Sequence, residues 1–353
     1  MAVEFDNIHY SYRAIDGYNK PFNFVLSPRE LGKTATMWYE KIYLGWKKDK
    51  KPWIYLVRKA VEITDALINS IADTIINKFT DDNVTFSFKS GSFKDGIVDV
   101  KIGDELFFRV VSLNIDMRRI KLAVLKNIKG VFMDEYVINP EMGEKYLPKE
   151  AEKLKEAYTT WRRECDGLLR FYIVGNPYSL FNPLYVDWKV DTSRLHIGEF
   201  YVGDTFVIHY PALNEKLYNW ILEHNPLFKL DKFYQQYALE GVAVNDSNIK
   251  LGKLPPHYSL RFVFHYQRKN IGIFQNNRYD GNDNKYFIQE VSEVSASRVM
   301  YCFDFEDLVE RAVVMSLDER FKLQRFKEAF RKREVVFGDI NCYYFIKEIY
   351  KNI

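Results

Sequence analysis

The sequence predicts an α/β fold with a mostly parallel sheet between helices, followed by a small helical linker and a smaller α+β domain. Strand-like and helix-like segments alternate through the first half of the chain. The strand-like segments are short, rich in β-branched and aromatic residues and poor in internal charges, which is typical of strands buried on both faces of a parallel sheet. Such alternation indicates helices layered on a sheet. The segments are PFNFVL, PWIYLVRK, DELFFRVVSL, GVFMDE and LLRFYIVGN.

Helical patterns separate these strands, at residues 34–46, 62–79 and 148–165. Residues 214–241 read as two short helices broken at Asn225-Pro226, because proline interrupts a helix. From His257 the chain becomes strand-rich, with helices predicted at 305–315 and 318–333. We therefore predict three domains, at residues 1–207, 208–255 and 256–353.

The composition indicates a globular protein of two or three domains. The 353 residues are 47% hydrophobic and 28% charged, and the net charge of +3 is too small to identify a nucleic-acid binder. Cys165, Cys302 and Cys342 are far apart and odd in number, which favours reduced thiols over a disulfide framework or a zinc site. We recognise no signal peptide and no apolar run near the ~20 residues of a membrane helix, so we expect an intracellular protein without a membrane partner.

The segment SPRELGKT departs from the phosphate-loop pattern at its first position, where glycine is usual. It leaves an apolar strand and opens a helix, which would place backbone N–H groups and the positive helix end around a phosphate. Lys33 would reach the β and γ phosphates, and the Thr34 hydroxyl would bind Mg²⁺. Serine is acceptable at position 27 if the backbone there does not need a positive φ; an ordinary strand-turn-helix is the alternative. The candidate nucleotide-binding residues are Ser27, Pro28, Arg29, Glu30, Leu31, Gly32, Lys33 and Thr34.

The segment VFMDE is an apolar strand that ends in two carboxylates. Asp134 would hold magnesium, as in a Walker B motif, and Glu135 would polarise the attacking water. A solvated acidic strand end looks the same when it stands alone. The order of this segment after the GKT loop favours the nucleotide-site interpretation.

Two further side chains are candidates for the same chemistry. Asn176 follows the strand LLRFYIVG and could orient water or sense the γ phosphate, although Asn-Pro is also a turn signal. Arg162 lies beside a buried helical stripe and could act as an arginine finger on the nucleotide of a neighbouring subunit. A solvated helix end is the alternative for Arg162. The stripe consists of Ala151, Leu154, Tyr158, Trp161 and Cys165.

These motifs resemble the DNA-encapsidation ATPases of small tailed bacteriophages, the phi-29-like genome packaging motors. The resemblance implies a P-loop ATPase domain of the additional-strand (ASCE) type, a helical linker and an RNase H-like, inactive nuclease-like domain. It also implies that Lys33 and Thr34 bind phosphate and Mg²⁺, that Asp134 binds the metal, that Glu135 activates water, and that Arg162 acts in trans. The segments that carry it are FNFVLSPRELGKT, WIYLVRK, VFMDEY, TTWRRE and IVGNPYSLFNP, and more faintly RFVFHY and IGIF.

The function implied by this resemblance is an ATP-driven double-stranded DNA translocase that packages the viral genome through the portal into the phage prohead. The implied assembly is a homo-oligomeric ring, pentameric by resemblance, with the portal and a packaging RNA as further candidate partners. The implied location is the host cytoplasm and, transiently, the portal vertex, but not the mature virion. The alternative is a nucleotide-gated nucleic-acid-binding or assembly protein without significant ATP turnover.

Three basic segments are candidates for contact with nucleic acid. Residues 41–51 carry five lysines and one aspartate, and residues 116–129 carry five basic residues and one acid. Residues 321–333 carry six basic residues and one acid, and could bind nucleic acid or the portal. Exposed helix faces have the same composition, so this alternative stays open for each segment.

A packaging nuclease would need an aspartate on the first strand of its sheet, joined by other carboxylates around two metal ions. The candidate strand, SLRFVFHYQ, contains no carboxylate. We therefore expect no nuclease activity from the last domain.

Overall fold

The computed structural model describes residues 9–139, 144–180, 182–230, 235, 238–241, 243, 249–266, 269–281, 283–303, 308–339, 342–343 and 345–346. The chain divides into two compact units, Met1–Asn245 and Asp246–Ile353. The first unit contains two hydrophobic cores, and the second unit has a core of its own. Among the described residues, no helix is long and apolar enough to cross a membrane.

The first unit is built on one sheet, whose strands are β1 (Phe22–Leu26), β2 (Trp53–Val57), β3 (Ile97–Ile102), β4 (Glu105–Ser112), β5 (Gly130–Met133), β6 (Phe171–Gly175), β7 (Glu199–Val202) and β8 (Phe206–Tyr210). The order across the sheet is β3-β4-β2-β5-β6-β1-β8-β7. Neighbouring strands from β4 to β8 pair in parallel, and β3 and β7 add antiparallel edges. The predicted mostly parallel sheet is therefore confirmed.

Helices cover both faces of this sheet, and the central strands β1, β2, β5 and β6 are buried at every position. Alternate residues of β1 belong to different cores: Val25 to one and Phe24 to the other, because successive side chains of a strand point to opposite faces. The helices are α1 (Arg13–Asp16), α2 (Lys33–Thr36), α3 (Leu44–Asp49), α4 (Asp65–Ser70), α5 (Asn77–Phe79), α6 (Met117–Leu122), α7 (Glu150–Trp161), α8 (Pro183–Asp187), α9 (Glu215–His224) and α10 (Leu227–Leu230). Short π-helical segments join α2 to α3 and α4 to α5.

The first unit extends beyond the boundary that we predicted at residue 207, which falls inside β8. The helices α9 and α10 are separated at Asn225-Pro226, as the sequence predicts. Leu217 and Ile221, on the apolar stripe of α9, are buried in the same core as Val25 of β1. Helix α9, which lies in the segment predicted as a separate linker, therefore packs into a core of the first unit.

The second unit has a sheet of β9 (Tyr258–Tyr266), β10 (Lys269–Asn276), β11 (Tyr286–Glu290), β12 (Met300–Cys302), β13 (Ala312–Val314) and β14 (Val335–Phe337), in the order β13-β12-β9-β10-β11-β14. The first three strands form an antiparallel meander, and β12, β13 and β14 each join in parallel. Two helices, α11 (Leu317–Phe321) and α12 (Gln324–Arg331), lie within the predicted helical range 318–333 or next to it.

The helix predicted at 305–315 is wrong over the residues that the structure describes. Ala312–Val314 form β13, which pairs in parallel with β12. Val313 and Val314 are β-branched and fit a pleated sheet better than a helix, and the neighbouring strand offers backbone partners. Residues 304–307 lie outside the described part of the chain.

Candidate nucleotide-binding site

The candidate side chains meet at the carboxyl edge of the first sheet because of its strand order. The additional strand β6 lies between β1, which leads into the SPRELGKT loop, and β5, which leads into Asp134 and Glu135. Asn176 follows β6 and therefore stands between the other two groups. In open parallel sheets, ligands bind in the crevice outside the carboxyl ends of the strands.

The SPRELGKT loop contains two residues with a left-handed backbone conformation. Gly32 has φ of 75°, and a Cβ added there would lie 2.8 Å from Cδ2 of His9, so a side chain is excluded on two grounds. Glu30 also has a positive φ, of 64°. Ser27 does not, so serine in place of the usual glycine introduces no strain of this kind. Ser27 is fully buried, and its N–H donates to the carbonyl of Gly175 at 3.1 Å.

Two distant segments hold the loop from outside. The N–H of Tyr10 donates to the carbonyl of Leu31, and the Tyr12 hydroxyl donates to the carbonyl of Lys33, each at 2.9 Å. On the other side, the N–H of Arg29 donates to the carbonyl of Ala238 at 2.8 Å. No local sequence signal predicts these contacts, because their partners are far apart in the chain.

Further contacts at positions 28 and 29 fit the loop closely to its surroundings. A Cβ added at Gly241 would lie only 2.9 Å from Cγ of Pro28. The Arg29 guanidinium donates at 2.5 Å to the hydroxyl of Tyr178, a residue that follows β6. The phosphate loop therefore contacts both β6 and the chain that follows α10.

Lys33 points into the centre of the site. Its side chain is buried, and Nζ donates a hydrogen bond to Oδ1 of Asn176 at 2.6 Å. Burial lowers the pKa of Lys33 to about 8, since removing the ammonium from water disfavours its charged form. The structure thus brings the predicted residues Lys33 and Asn176 together around a cation that is poorly solvated and would gain from an anionic ligand.

Thr34 and Asp134 also meet at this edge of the sheet. The Thr34 hydroxyl donates to Oδ2 of Asp134 at 2.8 Å. Burial raises the pKa of Asp134, while the charge of Lys33 and the hydrogen bond from Thr34 act in the opposite direction. A hydroxyl and a carboxylate are the hard oxygen ligands that suit Mg²⁺, so these residues fit the predicted metal.

Glu135 is exposed at the mouth of the site and has an uncommon backbone conformation. Its φ is 54°, in the left-handed region, and its N–H donates to Oδ1 of Asp134 at 2.9 Å. Loss of surrounding water, followed by repulsion from Asp134 and Glu144, raises the pKa of Glu135. A carboxylate of raised basicity that faces solvent is suited to accept a proton from water.

Arg162 does not join this cluster. It is exposed on a short turn, Arg162–Glu164, that directly follows α7. Because α7 runs from the end of β5 back towards the start of β6, this turn lies at the amino edge of the sheet, opposite Lys33. A cleft of about 290 Å³ at the turn is lined by Tyr158, Arg162, Arg163, Gly167, Leu168 and Leu169.

The first two basic segments are largely engaged in ion pairs. Lys47, Lys50 and Lys51 lie within 2.7, 2.8 and 3.5 Å of carboxylates. In the second segment, Arg119 and Lys121 pair with Asp95 and Glu156. A DNA phosphate at these positions would have to compete with carboxylates that are already in place, and contact with DNA stays a hypothesis.

The second unit shows no metal site in its described part. Strand β9 carries no acidic residue, and no group of three His, Cys, Asp or Glu that could hold a metal occurs among the residues described. Asp304 and Glu306, which follow β12, lie outside them. The absence of nuclease activity stays a prediction.

No protein-family model matches the sequence, and no curated protein does. Among the solved structures that resemble the chain, two phage packaging motors match it over nearly its whole length. The viral genome packaging motor assembly of bacteriophage Phi-29 matches with a TM-score of 0.69 at 17% identity, covering 98% of this chain and 99% of that one. The Phi-28 DNA packaging motor matches with a TM-score of 0.58 at 14% identity, covering 98% of each chain. At such low identity the likeness shows the fold, and at that level it confirms the resemblance to phage packaging motors.

Proposed function

We propose that this protein is an ATP-driven translocase of double-stranded DNA that packages a phage genome through the portal into the prohead. The observation that carries the proposal is the convergence of Lys33, Asn176, Thr34 and Asp134 at the carboxyl edge of the sheet, with Glu135 beside them. The fold of the packaging motors, shared over nearly the full chain, supports the choice of DNA as the cargo.

In this mechanism Lys33 binds the β and γ phosphates of ATP, for which it exchanges its hydrogen bond to Asn176. Thr34 and Asp134 would hold Mg²⁺, which neutralises charge on the phosphates when it is bound. Glu135 orients a water in line with the γ phosphate and accepts its proton, a role that its raised basicity favours. Asn176, released from Lys33, can then contact the γ phosphate or the water.

We further propose that Arg162 serves a neighbouring subunit. Its position at the opposite edge of the sheet keeps it from the nucleotide of its own chain, while its exposure allows contact with another copy. This role requires a homo-oligomeric ring, for which a pentamer is the proposal, bound to the portal with a packaging RNA as a further candidate partner. Such a protein would act in the host cytoplasm and at the portal vertex, and would leave before the virion matures.

The experiment that tests the proposal measures steady-state ATP hydrolysis with and without double-stranded DNA, and protection of DNA from nuclease in the presence of proheads. A packaging motor hydrolyses ATP, is stimulated by DNA and protects it. The second candidate, a nucleotide-gated assembly or nucleic-acid-binding protein, binds ATP without turnover. Tight ATP binding with no hydrolysis under any of these conditions would contradict our proposal.

A further inference from the structure

Arg58 is a buried arginine next to the candidate catalytic carboxylates that has no role in the mechanism above. It follows directly after β2, the strand that pairs with β5 in parallel, so it stands beside Asp134 and Glu135. Its side chain is only 10% exposed. It is therefore a largely buried charged group at the carboxyl edge of the sheet.

The guanidinium of Arg58 binds two successive backbone carbonyls, those of Glu135 and Tyr136. Nη1 donates to the carbonyl of Glu135 at 3.2 Å, and Nη2 donates to the carbonyl of Tyr136 at 2.9 Å. Glu135 is the residue with φ of 54°, a conformation that side-chain-bearing residues adopt only when their surroundings hold them in it. Arg58 supplies one bond to the backbone of Glu135 itself and a second to the next residue, Tyr136.

Arg58 is itself fixed by Glu150, the first residue of α7. Nε lies 3.0 Å from Oε2 and Nη2 lies 3.1 Å from Oε1, so the contact is bidentate, and the Glu150 side chain is fully buried. Oε2 also accepts the N–H of Leu147 at 2.9 Å. A buried ion pair is weak evidence for stability but can specify one local conformation. Here the bidentate contact with Glu150 fixes the orientation of the Arg58 guanidinium, which binds the carbonyl of Glu135.

We propose that Arg58 is a positioning residue for Glu135, and that Glu150 keeps Arg58 in place. Arg58 touches neither Lys33 nor Thr34 through any described bond, so its loss should disturb the orientation of the general base and leave nucleotide binding intact. Lysine keeps the charge but cannot form the fork. The inference deepens the proposed ATPase mechanism and rests on it.

Arg109 offers a matched control in the same sheet. It contacts Asp99 through two nitrogens, at 2.5 and 2.8 Å, and donates to the carbonyls of Ala123 and Val124. Its side chain is 17% exposed. It therefore makes the same kind of bonds as Arg58, but at β4 and without contact to Glu135.

The test compares Arg58→Lys with Arg109→Lys in the full chain, measuring kcat, KM, the Kd for Mg²⁺ with the slowly hydrolysed analogue ATPγS, and Tm. We expect kcat of Arg58→Lys to fall on the order of 10²-fold, as a misplaced catalytic group does, with the Kd changed less than about threefold. Arg109→Lys should keep kcat within about twofold and lose a similar amount of Tm.

Equal kcat for the two variants, or a Kd that weakens in step with kcat, would overturn the inference. If Arg58→Lys does not fold, Glu150→Gln decides, because the amide keeps the volume and one acceptor but loses the charge. We expect about a tenfold lower kcat for it at unchanged Kd; a normal kcat overturns the inference. If the wild-type protein does not hydrolyse ATP, both the proposed ATPase function and the role of Arg58 are wrong. If the wild-type protein hydrolyses ATP and the variant has the same kcat, only the role of Arg58 is wrong.

Discussion

Lys33 donates its hydrogen bond to the amide oxygen of Asn176 although 143 residues separate them in the chain. The contact joins the phosphate loop after β1 to the end of the additional strand β6. The uncharged amide accepts a hydrogen bond from the buried ammonium of Lys33 but does not balance its charge, so an anionic ligand would bind favourably here. For this reason we expect nucleotide binding at Lys33 to change the contacts of Asn176.

Lys33→Ala should abolish ATP hydrolysis, with a loss on the order of 10²-fold or more, and leave the fold intact. The substitution removes the cation that we expect to bind phosphate and leaves the apolar side chains of the two cores in place. Lys153→Ala is a suitable control, because Lys153 is also a partly buried lysine whose Nζ donates to an oxygen, the carbonyl of Leu113. Normal turnover in Lys33→Ala would refute the assignment of the phosphate loop.

Glu135→Gln should bind ATP with Mg²⁺ and fail to cleave it. The amide has nearly the same shape but cannot accept a proton from water. Calorimetric titration with Mg²⁺·ATP and a turnover assay on one sample separate the two properties. Loss of ATP binding together with turnover would make Glu135 a ligand or a structural residue instead.

Arg162→Ala and Glu135→Gln should each be inactive alone and partly active when mixed. An intact site on an Arg162→Ala subunit can receive a finger from a Glu135→Gln neighbour. Losing such a finger costs a factor on the order of 10³ to 10⁵, so partial rescue would exceed background clearly.

The neighbouring Arg163→Ala is the control for Arg162, because Arg163 is equally exposed on the same turn. Arg163→Ala should be active without being mixed with Glu135→Gln, because its own rings keep Arg162. No rescue at any mixing ratio, in samples where co-purification through two tags shows mixed rings, would remove the trans role of Arg162.

The stability of the first unit should fall between pH 7 and pH 5 through His209. Burial lowers the pKa of His209 to about 4, and the ring stacks on Phe200 and hydrogen-bonds the Tyr10 hydroxyl. Since an unfolded histidine has a pKa near ~6.5, the folded state binds fewer protons, and stability declines as pH falls from about 6.5 towards 4. Allowing for partial exposure, we expect a loss of about 1–2 kcal/mol by pH 5.

Urea unfolding at the two pH values measures this loss. His209→Phe keeps the stacked ring and removes the titration, so its pH dependence should be smaller by that amount, whatever its stability at pH 7. An identical pH dependence in the variant and in the wild-type protein would show that His209 is not responsible.

Purified protein with Mg²⁺ or Mn²⁺ should leave plasmid DNA uncut, because β9 presents no carboxylate to a metal. An agarose gel after long incubation checks this. Metal-dependent nicking that disappears on substitution of Asp304 or Glu306 would contradict the prediction.

The convergence of the candidate side chains was predictable because their motifs follow parallel strands, and the carboxyl ends of parallel strands share one edge. This is why Lys33, Thr34, Asp134 and Asn176 could be assigned to one site before their distances were known. Whether serine could replace glycine at position 27 depended on the φ angle there, and the structure shows that this angle is not positive.

Other features depend on contacts that the sequence does not encode locally. Arg58 and Glu150 are 92 residues apart, and nothing in either segment indicates that they pair. The hydrogen bonds from Tyr10 and Tyr12 to the loop also join segments whose pairing no local sequence pattern indicates. The error at 312–314 arose because a short β-branched strand takes its structure from a neighbouring strand, which a pattern along the chain does not reveal.

Helix α7 joins two places that the mechanism treats separately. It begins at Glu150, which fixes Arg58 at the active edge, and its last residue, Trp161, precedes Arg162. Its twelve residues measure about 18 Å, and Leu154, Ala157 and Trp161 are buried along one side of it. In a ring where Arg162 serves the next subunit, any shift of Glu150 during hydrolysis would reposition the finger in the neighbour. The movement of α7 in each subunit would then determine when the neighbouring subunit of such a ring hydrolyses its ATP.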